Sequence, residues 1–219
     1  MDWLLFQLAD SAFPTGGFAH SSGLEAAWQQ GEISKENGLR KFAVATLWQT
    51  GHSFLPMLGA AHKRPEDIDE LDRFCDVFLS NPVANRASRI QGRALLSTCE
   101  RCFPLPDLKE LSLRVREQRL CRHNAPLCGA IFRKLGVNLD DSQELCLYII
   151  LRGVVSAGVR LGIVGPHEAQ QIQFSCYAEL NRVLDCCGGL TLDGLAQTAP
   201  LLDLFQSTHD RLYSRLFQS

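Results

Sequence analysis

Apolar residues recur at three- and four-residue spacing along almost the whole chain, and no stretch alternates with period two for long. Trp3, Leu4, Leu5 and Leu8 share one face and predict a short amphipathic helix. Leu24, Ala27 and Trp28 continue an apolar stripe to Gly31, and Ser34 is placed to cap the next helix. Leu39, Phe42, Ala43, Leu47, Phe54, Leu55 and Leu58 keep the helical period to His62, with Gly51 and Pro56 expected to kink or divide the element. Pro65 opens another helix, with Glu66, Asp67, Asp69 and Glu70 at its positive end. After the Asn81-Pro82 break, helices are predicted over 86–102 and 108–120. Another starts at Asn124 or Ala125 and is closed by Gly136.

The strongest apolar signal runs from about 142 to 162. Asp141 is expected as its cap, with Glu144 completing a capping box, and Leu145 to Leu161 are apolar on nearly every face. This predicts a central helix packed by others. Gly153, Ser156, Ala157, Gly158 and Gly162 offer close backbone approach, while Arg152 and Arg160 each need a partner, a cavity or an interface. One helix is read over 168–187, a short one near Leu192 and a last one from Pro200. The fold class is therefore all-α: roughly eight to ten helices in a single domain over residues 1–219, with no repeat or linker.

The periodicity fails most visibly at Leu8–Glu25, where Phe13-Pro14-Thr15-Gly16-Gly17-Phe18-Ala19-His20-Ser21-Ser22-Gly23-Leu24-Glu25 reads as a turn leading into a helix. Pro14 fixes φ, and Gly16 and Gly17 open conformations closed to other residues. Ser21 or Ser22 can cap the helix, with Glu25 three residues after Ser22. Phe18 and His20 are thereby held beside a helix start. A phosphate loop would need a different glycine pattern and a preceding strand.

At 219 residues the chain is long enough for a sizeable core. A net charge of −2 gives no electrostatic case for nucleic acid or an anionic membrane. The opening lacks the basic start of a leader, and Arg152 interrupts the longest apolar run, which argues against a spanning segment. The nine cysteines are irregularly spaced and several lie within apolar periodic runs, as buried reduced thiols of a cytoplasmic protein would. Cys99 and Cys102 have C-x₂-C spacing, and Cys121 with His123 could complete four zinc or nickel ligands, although C-x-H matches no usual pattern and ordinary thiols are the simpler reading. The basic helix with Lys109, Arg114, Arg116 and Arg119 could meet an acidic partner or simply face solvent. No motif forms a self-contained catalytic site. The closing Tyr213-Ser214-Arg215-Leu216-Phe217-Gln218-Ser219 is apolar and arginine-containing, as a docking segment is.

The turn motif resembles the signature of the urease accessory protein UreF family, in its plant-type wording. Gln91-Gly92-Arg93-Ala94-Leu95, Val155-Ser156-Ala157-Gly158-Val159-Arg160-Leu161-Gly162 and Tyr213–Ser219 resemble three further family segments in order. The resemblance implies an all-α homodimer without catalysis of its own. Such a protein joins UreD (also called UreH) and the GTPase UreG to deliver nickel to apo-urease, regulating GTP hydrolysis. No tightly bound cofactor is implied, only nickel in transit. Tyr213, Leu216 and Phe217 are implied as UreD anchors, and Arg215 as the brace of a loop presented to UreG. His20 stands at the position, often Tyr in the family, near the dimer and UreG-facing surface, and is the histidine singled out for nickel passage. Pro14, Gly16, Gly17, Phe18, Gly23, Glu25 and Arg160 carry the structural part of the motifs.

Overall fold

A computed structural model describes residues 3–33 and 35–219, so the cap expected at Ser34 lies outside the described residues. The described residues contain no β-strand. Helices run in the order α1 (Trp3–Ala9), α2 (Leu24–Gln29), α3 (Lys35–Lys63), α4 (Ile68–Phe78), α5 (Pro82–Cys102), α6 (Pro106–Glu117), α7 (Asn124–Lys134), α8 (Leu139–Arg160), α9 (Pro166–Ser175), α10 (Tyr177–Cys187) and α11 (Pro200–Thr208). Short 3₁₀ turns at Gly17–Ala19, Pro65–Asp67, Leu192–Gly194 and His209–Arg211 connect them.

The expected division of the third helix does not occur: α3 runs unbroken through Gly51 and Pro56. Gly51 instead lies under Val183 and Cys187 of α10, where a Cβ would come within 2.7 Å of the valine. The helix expected over 168–187 is two. The buried Cys176 sits between them, its N–H shared by the carbonyls of Ile172 and Gln173, so that both halves turn their apolar sides inward. The cap of α8 is Asn138, whose side chain accepts the N–H of Asp141 at 2.9 Å, so the helix starts before the expected Asp141.

α3 and α8 share the centre. On one side, Leu39, Phe42 and Leu47 of α3 pack with Leu151, Val154 and Val155 of α8 and with residues of α9 and α10. On the other, Leu58 of α3 and Leu145 of α8 join Leu95, Leu108, Leu127 and Ile131 of α5, α6 and α7. Among the small residues of α8, Gly158 receives Leu39, whereas no described residue beyond the helix's own backbone comes within 4 Å of a Cβ placed on Gly153. α8 is the one described helix long and apolar enough to cross a membrane, and 56% of its apolar window is buried inside the fold. Arg152 is satisfied by the carbonyl of Ala9 and lies over the Tyr148 ring.

The basic face of α6 is largely used within the chain. Arg114 holds Asp69 with two bonds at 3.0 Å and also reaches the Glu66 carbonyl, while Arg116 lies 3.7 Å from Glu100. α5 and the segment before α7 touch backbone to backbone at Gly92, where an added Cβ would stand 2.1 Å from the Arg122 carbonyl oxygen. Gly92→Ala is therefore expected to lower stability by about 2–3 kcal/mol, as overpacking does. Thermal unfolding should show a fall of roughly 5–10 °C.

Candidate functional site

The turn motif forms a shelf on α5 and α8. Its first part lies on α5: the Thr98 hydroxyl donates to the Pro14 carbonyl at 2.8 Å, and Gly16, at φ +78, sits against the Ala94 methyl. Its second part meets α8. Arg160 donates to the Phe18 carbonyl, and its guanidinium lies between two rings, 3.8 Å from the Phe18 centroid and 4.2 Å from that of Phe217. Gly23 caps α2 at φ +88, and a Cβ there would be 2.9 Å from the backbone nitrogen of Gln206 in α11. A side chain at Gly23 would thus be excluded both by conformation and by space.

The C-terminal segment folds back over this shelf. Glu25, only 2% exposed, turns inward instead of closing a capping box with Ser22. Its carboxylate accepts the N–H groups of Leu216 at 2.6 Å and Phe217 at 3.1 Å, and the ring nitrogen Nε2 of His209 lies 3.1 Å away. Ser21 donates its N–H to the Ser219 carbonyl at 2.5 Å and its hydroxyl to the same oxygen at 3.1 Å. The Gln218 N–H reaches the Ala19 carbonyl at 2.8 Å, and Gln29 holds the Ser214 carbonyl at 3.0 Å. The last residues thus run along the motif as a strap.

The candidate residues fall into two layers. Tyr213 is fully exposed, Leu216 is 52% exposed and Phe18 is 69% exposed, so these three present apolar surface. Phe217 is buried beneath Arg160, so it fixes the strap and presents no surface of its own. Arg215 does not reach the motif loop; it pairs with Asp210 at 3.3 Å, an acid also held by Arg86 at 2.8 Å. The arginine on the loop is Arg160. His20 is buried, with Nδ1 2.5 Å from the Ser219 hydroxyl and Nε2 without a partner among the described residues. Burial first, then the nearby His209 and Arg86, lowers its pKa from 6.5 to about 4, which keeps the imidazole neutral.

The four-ligand set expected from Cys99, Cys102, Cys121 and His123 is not assembled. Cys99 is enclosed in the apolar cluster of α5, α6 and α7, where burial pushes its thiol up to about 12, and Cys102 faces solvent. Cys121 and His123 meet a different third group, Asp76 of α4, with candidate ligand atoms within 4.8 Å of one another. Sequence reasoning missed Asp76 and also Asp72, Glu25's inward role and His209. Asp76 is separated from His123 by two helices, and α4 carries Asp69, Glu70, Asp72, Arg73 and Asp76 among its eleven residues, so no local signal singles Asp76 out.

Fold and site together define an all-α protein whose best-built feature is a glycine-rich loop braced by its own C-terminus. The sequence model of the UreF family matches residues 33–177. The chain is 38% identical over 223 residues to urease accessory protein F of Arabidopsis thaliana, covering 100% of this chain and 93% of that one. It is 35% identical over 221 residues to urease accessory protein F of Oryza sativa subsp. japonica, covering 98% and 84%. With urease accessory protein UreF of Mycobacterium tuberculosis it shares 29% over 217 residues, covering 99% and 98%. The chain belongs to the UreF family of urease accessory proteins. The shelf and strap lie outside residues 33–177 but within the stretch shared with these relatives.

The buried polar groups generate two expected outcomes. Replacing Glu25 by Ala leaves the Leu216 and Phe217 amides without acceptors. Hydrogen exchange over 213–219 should accelerate at least about tenfold, while exchange in α3 stays unchanged. For His20, the folded pKa lies below the unfolded value, so its neutral burial contributes fully above pH 6.5 and is lost as pH falls from 6.5 towards 4. Urea unfolding across that window should show stability falling with acidity, and His20→Gln should flatten that slope.

Proposed function

We propose that this chain is a non-catalytic scaffold for nickel insertion into apo-urease. In this reading it acts as a homodimer, bridges UreD (UreH) and the GTPase UreG, and regulates GTP hydrolysis by UreG. Membership of the family supports the urease-maturation context. The observation that carries the scaffold reading is the convergence of four separated segments on one braced surface. The motif loop, Ala94 and Thr98 of α5, Arg160 of α8 and the C-terminal strap all meet there.

A surface meant for a partner benefits from being ordered beforehand, because less conformational entropy is lost on binding. Tyr213, Leu216 and Phe18 stand on such a base, and exposed aromatic and aliphatic side chains on rigid backbone make effective anchors. In this reading Tyr213 and Leu216 dock UreD, held in place by Phe217, and His20 and Arg215 lie on the side towards UreG and the dimer partner. A neutral imidazole with an unshared Nε2 is chemically able to touch nickel in transit, provided the strap moves aside.

Size-exclusion chromatography with light scattering tests the reading, using the protein alone, with UreD, and with UreD plus GTP-loaded UreG. A dimer that takes up UreD and then UreG is the expected result. Tyr213→Ala combined with Leu216→Ala should weaken UreD binding at least about 30-fold without lowering the melting temperature, as loss of two anchors does. A chain that ignores both partners would overturn the scaffold reading.

A further inference from the structure

We propose that Asp76, Cys121 and His123 form a binding site for one divalent cation of the borderline class, such as zinc, cobalt or nickel. The site is separate from the loop and strap and does not depend on the partner reading. Its donors are a carboxylate, a thiol and an imidazole, a set suited to those ions rather than to magnesium or calcium. The candidate ligand atoms lie within 4.8 Å of one another, with His123 Nε2 already 3.0 Å from Asp76 Oδ1. Small side-chain rotations bring such a group to coordination distance.

The backbone that carries two of the ligands is fixed in advance. The buried Asp72 carboxylate accepts three consecutive N–H groups, from Cys121 at 2.6 Å, Arg122 at 3.2 Å and His123 at 2.7 Å. Arg122, between the two ligands, is held at φ +72, with its carbonyl pressed on Gly92. This places Cys121 and His123 beside α4 despite a C-x-H spacing that fits no familiar zinc motif.

Outer groups orient the ligands as metal sites require. His123 Nδ1 lies 3.1 Å from the Ser88 hydroxyl, which also accepts the Asn124 N–H. That oxygen has a second lone pair for an Nδ1–H donor, so the imidazole can carry its proton on Nδ1 and offer Nε2 to a metal. Asn85 donates to Asp76 Oδ1 at 3.0 Å and so orients the carboxylate. Nearby charge is mixed: Asp72 and Asp76 favour a cation, while Arg89, Arg93 and Arg122 temper its affinity.

Binding is balanced by one proton. The metal ion exchanges a water for each ligand, and the Cys121 S–H loses its proton to solvent as the S–metal bond forms. The His123 proton moves from Nε2 to Nδ1 with no net change. His123 is fully buried, but Asp76 and Cys121 are half-exposed, so an ion can enter and leave. Three protein ligands leave a fourth position for water or for a ligand from another molecule, the arrangement of an exchangeable site.

The test is titration of the full-length, tag-free, reduced protein with Co(II), followed by absorption and by proton release in weak buffer. The expected result is one Co(II) per chain, with a thiolate-to-cobalt charge-transfer band and one proton released. Cys121→Ser should abolish the band, and Asp76→Asn should weaken binding at least about 100-fold. Ser88→Ala should weaken it roughly 10–100-fold, the usual cost of losing an outer partner. Cys99→Ser, Cys102→Ser and Cys186→Ser should leave the band intact. Circular dichroism checks that each variant is folded. If Cys121→Ser is not, the affinity of the near-isosteric Asp76→Asn decides. No saturable Co(II) binding would overturn the proposal, as would a band that survives Cys121→Ser or disappears with an exposed cysteine.

Discussion

The buried carboxylate of Glu25 is the constraint on which the functional surface depends. A carboxylate removed from water is costly unless its oxygens are hydrogen-bonded. Here both oxygens are engaged, by the amides of Leu216 and Phe217 and by His209. Those three partners come from the last eleven residues, and Gln29 of α2 adds a fourth at 3.5 Å. The carboxylate therefore specifies a position for the chain end, and its geometry fixes that position to a single register along the motif. Phe217 is then set under Arg160, whose guanidinium is held from the other side by Phe18. Loop, central helix and C-terminus become one unit through a cation shared by two rings and an anion shared by two amides.

That arrangement explains why glycine and small residues gather where they do. The loop can lie on α5 because Gly16 and Ala94 are small, and α11 can cross α2 because Gly23 has no side chain. Close backbone contact at these points frees the larger groups, Phe18, Tyr213 and Leu216, to face outward. An interaction protein needs such a division, with small residues inside the joint and large apolar ones on the surface. The second polar centre, around Asp72, uses the same logic with one carboxylate and three amides. There the result is a pair of positioned ligand side chains instead of a strap.

Much of this is legible in the sequence. Helical periodicity, Pro at helix starts and Gly at helix ends locate most elements within a few residues, because those signals are local. The departures are tertiary in origin. Pro56 reads as a break in α3, but packing on both sides keeps the helix continuous. Glu25 fits a capping box by spacing, but its long-range amide partners capture it. Arg160 reads as an arginine in need of a partner, and only the fold supplies the Phe18 carbonyl and the rings of Phe18 and Phe217. Cys99 and Cys102 have the right spacing for a metal, but helix α5 turns Cys99 into the core.

The sequence by itself determined the class of fold, the position of the irregular loop and the four segments that mark the UreF family. Each of these is written in spacing and residue type along a short stretch of chain. Only the tertiary structure decided which groups meet: Glu25 with the C-terminal amides, Arg160 between Phe18 and Phe217, and Asp76 with Cys121 and His123. The physical reason is that these contacts join residues from about 45 to over 190 positions apart. At such separations no local periodicity couples the partners, and the packing angles of the helices alone bring them within bonding distance.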